Sequence, residues 1–228
     1  MRTPSTALLR AAIAAAAVVP ALVLVPAPTA AAAPGDTVTA PLSQLISQLP
    51  VQDEDRTGYD RDAFKHWVDA DRDGCNARAE TLLEEAVVAP EVTGRCSITP
   101  NTGEWLSWYD EVTVTSAGSL DIDHMVPLAE AWDSGASEWT ATEREEYAND
   151  LGDERSLVAV TARSNRSKGD KDPAEWLPPA DSATCRYVTD WVTIKTRWDL
   201  AIDNTELTAI NETAAGCEDQ AVTVELAR

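Results

Sequence analysis

Positive charge is scarce in this sequence: 18 Lys and Arg stand against 39 Asp and Glu, a formal net charge of -21. Affinity for a polyanion comes largely from Lys and Arg neutralising phosphates, so composition alone argues against nucleic acid unless a local site overrules it. Histidine is scarcer still, with only His66 and His124. The four cysteines include no CxxC pair, and with two histidines at the wrong spacing a cysteine-zinc site is the weaker reading of them. Long apolar runs are lacking too. The stretch from Ala11 to Val25 is broken by Pro20 and followed by Pro26 and Pro28, short of the roughly 20 residues that a spanning helix needs. Nothing from Pro34 onward is apolar enough to span, so no membrane association is expected of the mature chain. There is no internal repeat.

What is present begins with a leader. Arg2 and Arg10 precede an Ala/Val/Leu core, and Ala30-Ala31-Ala32-Ala33 precedes Pro34. This is the pattern of a signal peptide over residues 1–33, which predicts a secreted protein. Removing its two arginines takes the charge to -23. The remainder, about 195 residues, is enough for one domain with a real core. In an oxidising compartment an even cysteine count predicts disulfides. Of three possible pairings, Cys75 with Cys96 and Cys185 with Cys217 is favoured, since each closes a local loop on one side of the central motif.

Residues 34–58 read as a partly disordered leader, aperiodic to position 41 and then at helical spacing through LSQLISQL until Pro50. The domain proper is 59–228. Residues 60–68 look like a short helix in which His66 packs or faces solvent. Thr81 to Val88 is an apolar helix or strand. Strand patterning covers 105–114 and 120–126, with a Ser/Gly turn between them, and a second buried strand covers 157–160. Helices are expected at 128–133, at 140–150 behind a Thr cap, from 162 to 168 and from 185 to 202. The aromatic stripe of that last helix, Tyr187, Trp191 and Trp198, reads as core.

The chemistry gathers on Leu120-Asp121-Ile122-Asp123-His124-Met125-Val126-Pro127 and, some forty residues on, Ser164-Asn165-Arg166-Ser167-Lys168-Gly169-Asp170. Along a strand Asp121 and Asp123 share a face and His124 points away, unless the strand bends near Pro127. Phosphodiester hydrolysis needs a base to activate water and a cation to take up charge. A neutral His serves as the first near pH 7, and a divalent ion on hard oxygen ligands serves as the second. Asp123 and the amide oxygen of Asn165 suit Mg²⁺ or Mn²⁺, with water and phosphate completing the coordination.

DIDHMVP followed by NRSKGDKDP resembles the HNH nucleases, including the HNH domain of RNA-guided CRISPR effectors and the C-terminal domain of GmrSD-type restriction enzymes. The likeness is closest to secreted actinobacterial HNH proteins and spans about Tyr59 to Trp198. It implies an α+β fold: a ββα-metal (HNH) motif embedded in a mostly helical single domain with two disulfides. In that family His124 is the general base, Asp123 and Asn165 hold the metal, Arg166 and Lys168 contact phosphate, and Asp121 supports them from behind. The family's middle Asn, which steadies the loop bearing the base, falls by count on Ser156, while Asn149 is the nearest Asn and is favoured for the catalytic set.

A second acidic site precedes the motif. Asp69, Asp71, Asp73, Gly74 and Glu80 fit the D-x-D-x-D-G-x5-E calcium loop at every specified position. Asn76 stands where such loops have an apolar residue, and Cys75 restricts the turn. A structural turn or an active-site wall, with Arg78 facing the phosphate, is the other reading. The leading expectation is therefore an exported endonuclease acting on DNA, with RNA as a second substrate. Arg163, Arg166, Lys168 and Lys171 partly answer the charge objection, so weak, salt-sensitive binding should follow. The competing expectation is a non-catalytic, calcium-stabilised extracellular binding module with a degenerate HNH fold. Nothing in the pattern points to a protein partner.

Overall fold

The structure is a computed structural model that describes Met1 and residues 33–228. Apart from its two ends, the expected signal peptide lies outside the described residues. In chain order the elements are β1 (Thr37–Pro41), α1 (Leu42–Gln48), α2 (Ala77–Glu84), β2 (Val92–Thr93), β3 (Ser97–Ile98), β4 (Trp105–Ser107), β5 (Val112–Val114) and β6 (Leu120–His124). Then follow α3 (Leu128–Asp133), α4 (Ala141–Ala148), β7 (Leu157–Thr161), α5 (Ala162–Lys168), α6 (Thr184–Arg197), α7 (Asn204–Ala214) and β8 (Ala221–Glu225). Eight strands accompany seven α-helices among the described residues, so the fold is a mixed α/β one rather than mostly helical. The strands are only two to five residues long, too short for the two-residue alternation to stand out.

Four antiparallel pairs form: β1 with β8, β2 with β3, β4 with β5 and β6 with β7. The β6/β7 pair is central. Asp121 faces Val160, Ile122 faces Ala159, Asp123 faces Val158 and His124 faces Leu157. Cross-strand partners share a face, so Ile122 and Ala159 join a small core with Leu120, Leu157, Trp105 and Leu82. Val158 and Val160 join the larger core on the opposite face. β7 is buried along its whole length, as its run LVAVT implies. The chain then turns into α5, where the Thr161 side chain accepts from Ser164 N at 3.3 Å and caps the helix. Gly169, at φ 59°, ends it.

The large core is built on α6, which buries Tyr187, Val188, Trp191 and Ile194. α1 contributes Leu42, Leu45 and Ile46. Residues 37–48 are thus ordered parts of the fold, not a leader: Thr37 to Pro41 pair in register with Glu225 to Ala221. Their partner strand lies at the far end of the chain, so no local pattern announces the pairing. Residues 61–63 form one 3-10 turn in place of the expected helix. Disulfides join Cys75 to Cys96 and Cys185 to Cys217, with Cα atoms 5.2 and 5.6 Å apart. No helix of the described residues is long and apolar enough to cross a membrane.

Candidate active site

α5 lies against the face of the β6/β7 pair that carries Asp121 and Asp123. Asp123 is buried, and its Oδ2 accepts from Tyr109 OH at 2.6 Å and from Lys168 Nζ at 2.5 Å. Both bonds fall on one oxygen, which leaves Oδ1 without a donor among the described residues. Lys168 Nζ also donates to the carbonyls of His124 at 2.9 Å and Met125 at 2.8 Å. All three of its protons are used, and the residue is 0% exposed. Lys168 is therefore not a phosphate contact: it stands one helical turn beyond Asn165, on the side of α5 that packs onto β6. Burial pushes the Asp123 carboxyl up and the Lys168 ammonium down, and each charge opposes the shift of the other.

His124, at the end of β6, is 6% exposed. Its Nε2 lies 2.9 Å from the carbonyl of Ala148. A carbonyl only accepts, so Nε2 carries the proton and Nδ1 keeps its lone pair. Burial pushes the imidazole down to about 3, while the Ala148 carbonyl pulls it up and Arg61, His66 and Lys168 press it lower. The ring stacks on two aromatic rings, Trp67 at 5.6 Å and 29° and Tyr147 at 6.4 Å and 18°.

Asn149 follows Ala148 directly at the end of α4. Its side chain accepts from Val68 N at 2.8 Å and donates to the carbonyls of Lys65 at 2.8 Å and Glu145 at 2.7 Å. It thereby joins the helix end that holds His124 to the segment carrying Trp67. Ser156 does something else: its hydroxyl donates to Asp150 at 2.7 Å and its carbonyl accepts from Met125 N at 3.0 Å. Asn165 Nδ2 donates to Asp121 Oδ2 at 3.2 Å, and its amide oxygen meets no donor among the described residues. The exposed Arg166 reaches the same carboxylate oxygen at 3.3 Å.

Asp123, His124, Asn165, Arg166 and Asp170 line one cavity of about 200 Å³, and Arg61 lines it with them. Arg61 was not legible as a site residue: it sits in an acidic stretch some sixty residues before His124, with no motif around it. A larger cavity of about 380 Å³ lies beside Arg163 and Trp176 and contains none of the Asp123, His124 and Asn165 side chains. Lys171, past the end of α5, donates back to Ser167 O of that helix, 2.9 Å away. Arg78 donates to Leu120 O at 3.1 Å and braces the start of β6 instead of facing the cavity.

Asp69, Asp71 and Asp73 bring carboxylate oxygens within 4.8 Å of one another. Glu80 does not join them, although their charges and burial raise its carboxyl. The same carboxylates accept from the loop's own backbone, Asp69 from Gly74 N at 3.0 Å and Asp73 from Cys75 N at 2.7 Å.

Two antiparallel strands with a helix across them thus bring Asp123, His124 and Asn165 to one cavity. The profile of the GmrSD restriction endonucleases, C-terminal domain, matches residues 92–210, and the chain belongs to that family. It is also 38% identical over 203 residues to an uncharacterized secreted protein of Arthroderma benhamiae, covering 88% of this chain and 97% of that one. That relative is fungal, so nothing ties the likeness to actinobacteria. With a secreted relative and two disulfides, the protein is a secreted one. No solved structure matches the chain. The matched residues include Asp121, Asp123, His124, Asn149 and Asn165 but neither Arg61 nor Trp67.

Proposed function

We propose that the protein is a secreted, metal-dependent HNH endonuclease that hydrolyses phosphodiester bonds of DNA, with RNA as a second substrate, and that β6, β7 and α5 are its ββα-metal unit. The observation that carries this reading is the state of His124. A buried, neutral imidazole whose Nε2 is tied to a backbone carbonyl keeps its Nδ1 lone pair, and His124 lines the same cavity as Asp123 and Asn165, whose Oδ1 and amide oxygen accept no side-chain or backbone hydrogen bond among the described residues. His124 Nδ1 takes the proton of the attacking water. The donor set fits a hard divalent cation: Asp123 Oδ1 and the Asn165 amide oxygen would hold Mg²⁺ or Mn²⁺. When bound, the ion supplies charge to the phosphate and to the departing oxygen. Tyr109 and Lys168 hold the Asp123 carboxylate, and Asp121 holds the Asn165 amide by its Nδ2, which leaves the oxygen for the ion.

Arg61 and Arg166 are the cations left to meet a phosphate. With a net charge of -21 around them, substrate binding is weak at physiological salt. The test is plasmid nicking by the purified mature protein: cleavage with Mg²⁺ or Mn²⁺ that EDTA abolishes supports the reading, and no cleavage with either ion rejects it.

The convergence of Asp69, Asp71 and Asp73 favours a separate expectation, a calcium ion that stiffens this loop, as the non-catalytic module reading also requires. A calcium titration that raises Tm supports it, and an unchanged Tm removes it. Calcium stabilisation without any cleavage is the signature of the module reading.

A further inference from the structure

His124 is held by three neighbours. Ala148 and Tyr147 belong to α4, inside the residues that the family profile matches. The third, Trp67, comes from a segment outside them. Its ring stacks on the imidazole with centroids 5.6 Å and planes 29° apart, as that of Tyr147 does at 6.4 Å and 18°. Trp67 has φ 60°, a left-handed conformation that a bulky L residue adopts only when its surroundings impose it. Those surroundings are named bonds. Asn149 grips the chain on both sides of Trp67, at Lys65 O and Val68 N, each at 2.8 Å. Val68 O accepts from Ala77 N at 3.0 Å, which ties the segment to α2. His66 sets its ring edge against Trp67 at 5.3 Å and 79°.

We infer that Trp67 is a positioning residue: held in a left-handed backbone conformation by Asn149, its ring stacks on His124 and, with Tyr147, fixes the plane of the imidazole and so the direction of Nδ1. One hydrogen bond, from Nε2 to Ala148, does not fix that plane. Without the stacked rings the imidazole can rock out of that bond, which also frees the Nε2 proton to move to Nδ1, and the stacking removes that freedom. The energetic signature follows from the strain. A residue kept for packing alone has no reason to occupy a conformation that glycine adopts without cost.

The inference rests on the reading of His124 as the base, and the experiment separates the two. Trp67→Gly relieves the backbone while deleting the ring, so it folds with a Tm close to wild type. Its kcat falls about tenfold to a hundredfold with KM within about twofold, and Trp67→Phe restores kcat to within about threefold. Nitrogen NMR of the imidazole gives a readout that needs no cleavage: wild type holds the Nε2-protonated tautomer alone, and Trp67→Gly mixes the two tautomers. An active wild type whose Gly variant keeps both kcat and a single tautomer overturns the inference. So does a Gly variant that unfolds, or a loss that Phe does not restore, since either marks Trp67 as packing. If the wild type does not cleave, the base assignment fails, and the tautomer comparison still decides what holds the ring.

Discussion

Lys168 carries the sharpest lesson at the scale of single residues. In NRSKGDK a lysine reads as surface charge, because lysines are almost never fully buried unless paired. Here it is paired, with Asp123 and two carbonyls, at the centre of the site. Replacing it by Met leaves Asp123 buried without its counter-charge and is expected to cost about 3–5 kcal/mol, read by urea unfolding. A phosphate contact would instead raise KM and leave stability alone. Asp123, His124 and Asn165 were legible because their types and order carry the chemistry. Arg61 and Trp67 were not, because nothing in their local spacing relates them to a strand some sixty residues away.

At the scale of elements, α2 and β7 meet through a carboxylate. Glu85, at the end of α2, accepts from Ala159 N in the middle of β7 at 3.0 Å. Burial pushes its carboxyl from an ordinary 4.5 up to about 7, against the pull of that N–H. The folded protein therefore binds the proton more tightly than the unfolded chain. The stability that this group contributes is complete below pH 4.5 and is lost as pH rises through about 7. Glu85→Gln keeps an oxygen for Ala159 N and removes the titration. Wild type should lose more stability than the variant between pH 4.5 and 7, and parallel curves would contradict the assignment. Most helices were legible from periodicity and caps, such as α4, where Thr140 and Glu143 form a capping box. α7 was not, because its sequence NTELTAINETA buries little beyond Glu206 and Ile210.

At the scale of the whole molecule, the two ends of the described chain close the fold. β1 and β8 pair over 184 residues of separation, joined by Thr39 and Thr223, and the Cys185 to Cys217 bridge locks α6 to the end of α7. Replacing both of these cysteines by Ser should cost about 2–4 kcal/mol while activity per folded molecule stays at the wild-type level, because neither touches the cavity. Low activity in a fully folded variant would mean that the bridge shapes the site. On the proposed reading, composition says little at this scale. A net charge of -21 argued against a polyanion substrate, yet charge acts where it sits, and the cavity presents Arg61 and Arg166 beside a buried neutral His124. The account stands or falls on that histidine. Single-turnover plasmid nicking should compare wild type with His124→Ala, both shown to be folded and both supplied with Mg²⁺. Cleavage by wild type with loss of at least about a hundredfold in the variant is the predicted result, and equal cleavage by the two proteins would contradict it.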